Sequence, residues 1–285
     1  MPDITLISKA VDFIEDNLRE AIAVADMADA VAYSLYHFCR MFNQATHHTP
    51  YDYLMRRRLS QAAQELLQSD KKIIDIALDY QFNSPETFSR AFKRVFGMQP
   101  SQLRKQGSVD PRRLMPRLTF AHIKHVSKGA YLRPVLEEKS AFQVAGVMTL
   151  VKDDQTVISE LWELFAQELE SSETVAKAGN YYGIAYYPED WENRGCLYMA
   201  AVEIQGLDIA NVALVVKTIP ALRCARFIHK GPTRELQLTL DYVYHTWLPK
   251  SGECLSYPLV IEHYGQDFRN LDNEESERGI DIPIK

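Results

Sequence analysis

The chain has 285 residues, with 38 Asp/Glu against 32 Lys/Arg and a formal net charge of −6 at pH 7. That length leaves room for two domains, and the acidic balance speaks against a polyanion binder charged along its whole length. No stretch is apolar enough to span a membrane, no secretory core opens the chain, and Cys39, Cys196, Cys224 and Cys254 form no CxxC pair. The expectation is a reduced, cytoplasmic protein without disulfides, metal or cofactor.

In chain order, residues 24–32 have the size of a short helix and carry Ala28 where a second helix can approach. Ser34-x-x-x-Phe38-x-Arg40-x-Phe42 follows, and the same pattern returns fifty positions later as Ser84-x-x-x-Phe88-x-Arg90-x-Phe92. Residues 73–80, with Ala77, precede the second copy, and Pro50 and Pro100 follow the two copies at equal distance. At about 100° per residue the two Phe of each copy fall on one stripe and the arginine on the opposite side. Each serine occupies an N-cap position, and Pro85 suits a first helical turn. Tyr36, Cys39, Arg40 and Asn43 turn together on the open face of the first helix; Glu86, Ser89, Arg90 and Lys93 do so on the second.

Helix, short turn, helix, stated twice, is the unit that sets its second helix in the DNA major groove. Residues 51–68 between the copies read as one long helix that spaces two heads, which on one side of a duplex stand about 34 Å apart. Charge agrees locally. Residues 32–107 hold 11 Lys/Arg against 6 Asp/Glu, a balance of +5. Arg56, Arg57, Arg58, Lys93 and Arg94 are the expected phosphate contacts. The alternative is a pair of ordinary surface helices with solvated charges.

Residues 6–106 resemble the two-headed DNA-binding domain of the AraC/XylS regulators, most closely through IIDIALDYQFNSPETFSRAFKRVFGMQPSQLRK. The first copy, YSLYHFCRMF, resembles the Rob branch of that family. The resemblance implies promoter binding, activation rather than repression, and contact with RNA polymerase. It also implies base reading by Tyr36, Cys39 and Arg40 in the first helix and by Glu86 and Arg90 in the second, with Asn43 and Ser89 on the same faces. Cys39 and Glu86 depart from the glutamines of the branch, and an acid at position 86 repels phosphate. Two heads in one chain imply binding as a monomer.

Residues 106–117 (QGSVDPRRLMPR) read as part of a linker at 108–133, between a DNA-binding domain at 1–107 and a second domain at 134–285. Beyond it, residues 142–151, 181–187, 196–204, 222–229, 257–264 and 280–284 have strand composition, and 157–169 and 233–248 read as amphipathic helices. Strand, helix, strand, strand, repeated, gives an antiparallel α+β domain of two pseudo-symmetric halves with both helices on one face and a ligand site on the other face or at the seam. The whole is thus an all-α tandem helix-turn-helix domain followed by an α+β domain.

The second domain resembles the GyrI-like effector-binding fold in strand order and in segments such as WLPKSGECLSYPLVIEHYG and IDIPIK. Strand carboxylates among aromatics suit a cationic or polar organic ligand. Glu262 is the first candidate and Glu203 the second, with Tyr198, Tyr182, Trp162, Phe227 and Tyr264 around them. The open alternatives are that either Glu faces water, that the domain sequesters its ligand, or that Glu262 or Glu203 with Tyr198 serves a hydrolase as general base. Against hydrolysis, the chain has no GxSxG, HExxH, P-loop or GxGxxG motif, and His47-His48 lack metal-ligand spacing.

Overall fold

The computed structural model describes residues 3–127, 132–152, 156–171, 180–188, 195–204, 214–270 and 272–285. Contacts within the chain define two units, residues 1–129 with 237–251, and residues 130–236 with 252–285.

In the first unit, α1 (Ile4–Asp16) is capped by Asp3, which accepts from the N–H groups of Thr5 and Leu6 at 3.0 and 3.2 Å. Next come α2 (Val24–Asp29), α3 (Leu35–Thr46) and α4 (Pro50–Gln68), then α5 (Ile73–Asp79), α6 (Pro85–Phe96) and α7 (Pro100–Gln106). The duplication reaches the caps. Ser34 accepts from His37 N–H and Ser84 from Thr87 N–H, and α3 and α6 end on left-handed residues fifty apart, His47 (φ 59°) and Gly97 (φ 76°). Glycine takes that conformation without steric cost, and His47 does so against its Cβ. The left-handed turn residues, Ala32 and Gln81, stand 49 apart while the capping serines stand 50 apart, so the second turn holds one residue more.

α4 joins two separate cores. Its Tyr53 and Leu54 pack with Met27, Phe38 and Phe42; Leu59, Ala62, Ala63 and Leu66 pack with Phe88, Phe92 and Phe96. At 1.5 Å per residue, its 19 residues span about 28 Å. Residues 108–127, expected to belong to a linker, instead pack on both heads, with Val109 and Leu114 against the second core and Arg113 donating to the Phe96 carbonyl at 2.7 Å. They form a 3₁₀ turn (Pro111–Arg113) and α8 (Phe120–Ser127), and Met115, Leu118 and Ile123 are buried in the first core. Each of these side chains fills a gap in a core built mostly by other helices, so no local periodicity announces them.

The second unit is an antiparallel sheet of β1 (Val135–Lys139), β2 (Phe142–Val151), β3 (Tyr181–Tyr186), β4 (Cys196–Ile204), β5 (Val215–Ile219), β6 (Leu222–Lys230), β7 (Leu259–Tyr264) and β8 (Glu277–Ile284). The strand order β1-β6-β8-β7-β3-β4-β2-β5 is symmetric about the β7–β3 pair, and each half lends its first strand to the other. The edge strands β1 and β5 were not expected; each is short and mostly exposed, so neither carries an alternating apolar signal. α9 (Thr156–Ser171) packs on β2 and β4. After β6 comes α10 (Leu236–Tyr242), which continues through a π-helical turn (Val243–Trp247) into α11 (Leu248–Ser251).

Residues 237–251 of that segment group with the helical unit. There His48 sits fully buried between Asp52 (Nδ1···Oδ2 2.7 Å) and Thr246 (Nε2···Oγ1 2.9 Å). His47 meets the Tyr242 hydroxyl at 3.1 Å, His122 meets Asp241 at 2.9 Å and His125 meets Thr239 at 2.8 Å. Burial pushes the His48 imidazole below its ordinary pKa, against the pull of Asp52, and holds His245 down at about 4.

Candidate nucleic-acid interface and effector pocket

The Phe stripes of α3 and α6 turn inward completely, since Phe38, Phe42, Phe88 and Phe92 are all fully buried. The opposite faces stay open. Tyr36 is 78% exposed, Arg40 and Asn43 are exposed beside it, and Cys39 is half-buried. On α6, Glu86, Arg90, Lys93 and Arg94 are exposed and Ser89 is half-buried. Helix caps and a buried aromatic stripe therefore fix which residues each helix can offer to a groove. Glu86 accepts from its own backbone N–H and from Ser84, and with Arg90 one turn on, its carboxyl lies below the ordinary range. The carboxyl thus stays ionised on the open face of the helix.

The basic run on α4 serves another purpose. Arg57 is buried, donating from Nε and Nη2 to the two Glu15 oxygens at 2.7 and 2.8 Å and from Nη1 to the Met115 carbonyl at 2.5 Å. The Tyr53 hydroxyl completes the set, donating to Glu15 at 2.7 Å. Arg58 is buried too, with bonds to the Leu18 and Glu20 carbonyls at 2.8 and 2.6 Å. Both are removed from the expected phosphate contacts, because their donors are spent inside the first head. Arg56, half-buried, pairs with Asp52 at 3.1 Å. Lys93 and Arg94 keep exposed positions.

In the second unit, strand register sorts the expected pocket residues. Gly183 on β3 stands opposite both Glu262 on β7 and Ala200 on β4, and Tyr181 stands opposite Tyr264. Side chains alternate across a strand, so Tyr181, Tyr198, Glu262 and Tyr264 share one face at the seam of the two halves. Trp162 reaches them from α9, its Nε1 donating to the Tyr198 hydroxyl at 3.4 Å and its ring meeting Tyr264 edge-on at 4.9 Å. Tyr198 donates to Glu262 Oε1 at 3.2 Å and Tyr264 to Oε2 at 2.8 Å. Burial first, and the Glu262 charge second, push both phenols well above their usual pKa, so both keep the proton they donate.

Gly183 makes this cluster possible. A Cβ there would lie 2.1 Å from the Tyr198 hydroxyl oxygen and 3.4 Å from Glu262 Oε1. In front of the cluster open two cavities that share Trp162 and Tyr181. One, of about 330 Å³, adds Tyr264, Gly265 and Phe268; the other, of about 380 Å³, adds Phe165, Ala166, Leu169 and Glu170. These are largely aromatic walls with the buried polar cluster behind them, a composition suited to a small aromatic molecule.

Glu203 and Tyr182 do not belong to this site. Register puts them on the opposite face, where Tyr182 donates to Glu203 Oε2 at 3.1 Å and packs in a core with Val144, Ile184 and Met199. Phe227 faces the pocket side, through its pairing with Ile280 and that of Ile280 with Glu262, but it is fully buried and lines neither cavity. Sequence reasoning missed Gly183, Phe268 and Arg278. Arg278 lies fully buried next to Glu262, in a terminal strand that also carries Glu277 and Asp281, and nothing local marks it as a partner of an acid sixteen residues earlier.

A family model described as a helix-turn-helix domain matches residues 27–106, and one described as a GyrI-like small molecule binding domain matches residues 133–285. The chain belongs to the AraC/XylS family. Its C-terminal part is a GyrI-like domain. Among relatives of this AraC/XylS chain, the uncharacterized HTH-type transcriptional regulator YbfP of Bacillus subtilis is 40% identical over 98 residues, 34% of this chain and 33% of the relative. The HTH-type transcriptional activator AarP of Providencia stuartii is 36% identical over 100 residues, 35% of this chain and 74% of AarP. The right origin-binding protein of Escherichia coli is 38% identical over 93 residues, 33% of this chain and 32% of the relative. The aligned stretch thus spans about a third of YbfP and of the right origin-binding protein. Among the described residues no helix is long and apolar enough to cross a membrane, and no acidic, His or Cys cluster could hold a metal.

Proposed function

We propose that this chain is a promoter-binding transcriptional activator that works as a monomer in the cytoplasm and senses a small aromatic molecule with its GyrI-like domain. The observation that carries the reading is the pair of capped helices, α3 and α6, each with a buried Phe stripe and an outward arginine, fixed to the two ends of α4. Arg40 and Arg90 read bases in successive major grooves, and Lys93 and Arg94 hold phosphates. Activation is supported by the name of AarP, and contact with RNA polymerase by the AraC/XylS resemblance.

Sensing is favoured over hydrolysis by the state of Glu262. A general base needs a free lone pair directed at its substrate, and this carboxylate already accepts from Tyr198, Tyr264 and Arg278. The test is selection of bound sequences from a random DNA pool at near-physiological salt, with the full-length chain and its Arg40→Ala and Arg90→Ala variants. Two short enriched elements about one helical turn apart are expected, each variant relaxing one element by about 1–3 kcal/mol. Enrichment that neither substitution alters would remove α3 and α6 as the reading helices.

A further inference from the structure

The acid beneath the effector pocket already has a cation. The guanidinium of Arg278 lies with Nη1 3.3 Å from Glu262 Oε2 and Nη2 2.7 Å from the Thr233 hydroxyl. Its central carbon stands 5.5 Å from the Tyr264 ring centroid and 5.3 Å from that of Phe268. Those two rings are walls of the 330 Å³ cavity, whereas Glu262 and Arg278 themselves line neither cavity. Glu262 is 6% exposed and Arg278 1%.

We propose that Arg278 is the specificity-determining residue of this pocket, an internal cation that neutralises Glu262 and makes the site select aromatic molecules without a positive charge. The inference rests on the pocket reading above and deepens it. Three physical effects act together. The carboxylate accepts hydrogen bonds on both oxygens from Tyr198, Tyr264 and Arg278, so it has little left to offer an incoming cation. The π faces of Tyr264 and Phe268 already hold a guanidinium, which draws down the negative potential that a second cation would need. The positive charge of Arg278 also cancels the pull that a lone Glu262 would exert on a cation, an attraction on the order of ten-fold in affinity at an effective dielectric of about 20.

The acid that lines the second cavity, Glu170, is exposed, and water screens its attraction for a cation.

The test uses two ions of equal size and shape and opposite charge, tetraphenylphosphonium and tetraphenylborate. Their affinities for the full-length chain are measured by calorimetry. Wild type is expected to bind the phosphonium no tighter than the borate. Arg278→Gln should make the phosphonium at least about ten-fold tighter by freeing Glu262, and Glu262→Gln with Arg278→Gln, which replaces a neutral pair by a neutral pair, should keep the wild-type ratio within about three-fold. The double variant leaves no buried charge unpaired, so it reports even if Arg278→Gln fails to fold. Trp162→Ala should weaken both ions, which locates them in the pocket. A wild-type preference for the phosphonium, or a ratio that the double variant shifts by more than about three-fold, overturns the role of Arg278 and leaves the pocket standing. If neither ion binds wild type or any variant, the pocket reading itself fails and this inference falls with it.

Discussion

Replacing Arg57 with alanine separates a structural arginine from a DNA-binding one. In the folded chain its fork grips both oxygens of Glu15, whose side chain is 6% exposed, and a third donor reaches the Met115 carbonyl. Alanine would strand the Glu15 carboxylate with only the Tyr53 hydroxyl and leave Met115 without that donor. Removing one partner of a buried ion pair costs about 3–5 kcal/mol. At about 2–4 °C per kcal/mol, the melting temperature of a unit this size should fall by roughly 10 °C. A companion, Glu15→Leu with Arg57→Met, removes both charges and should recover most of that loss. DNA affinity is then measured as a function of salt with the companion, which folds. Its slope of log affinity against log salt should match wild type, whereas Lys93→Ala should lose about 0.9, the share of one phosphate. If Arg57→Ala melts like wild type and flattens the salt dependence by one phosphate, Arg57 faces DNA and its burial against Glu15 is not the state that binds.

Two further outcomes follow from single positions. Gly183→Ala places a methyl 2.1 Å from the Tyr198 hydroxyl oxygen, so the ring must move off Glu262; stability should drop by about 1–3 kcal/mol and aromatic-ion binding should weaken, read by melting and calorimetry. Unchanged binding would mean that Tyr198 does not shape the pocket. His245, held at about 4 against an ordinary 6.5, binds its proton more weakly folded than unfolded. Its contribution is therefore complete above about 6.5 and is lost as pH falls toward 4, amounting to about 3 kcal/mol, and buried His48 shifts in the same direction. Melts between pH 7.5 and 4 should show a shallower pH dependence for His245→Leu than for wild type, and equal slopes would refute the assignment.

The DNA-binding half was readable because its signals are local. Serine caps, Phe pairs four residues apart and the fifty-residue repeat all act within one helix, and an amphipathic helix can bury only one stripe. Once Phe38, Phe42, Phe88 and Phe92 go inward, Arg40 and Arg90 must go outward. Strand composition likewise placed β2 and β4 and made Glu262 the first of two candidate pocket acids, and it is the buried one of the two. What the sequence could not settle is which distant partner each polar side chain meets. Arg56, Arg57 and Arg58 look alike as letters, and the packing of α1 and the 115–123 stretch against α4 is what buries the latter two.

The same holds for the two acids of the pocket reading. Alternation within β4 puts Tyr198 and Glu203 on opposite sides of their own strand, but only the register of β3 with β4 and β7 decides which of them faces Glu262. Arg278 reaches Glu262 because β8 pairs with both β7 and β6, a contact closed by the sheet and by no local pattern. Local stereochemistry, helix periodicity and strand alternation thus determined the elements and their faces. Long-range pairing, which short-range patterns do not encode, decided which charges were neutralised and which were left for a ligand or for DNA.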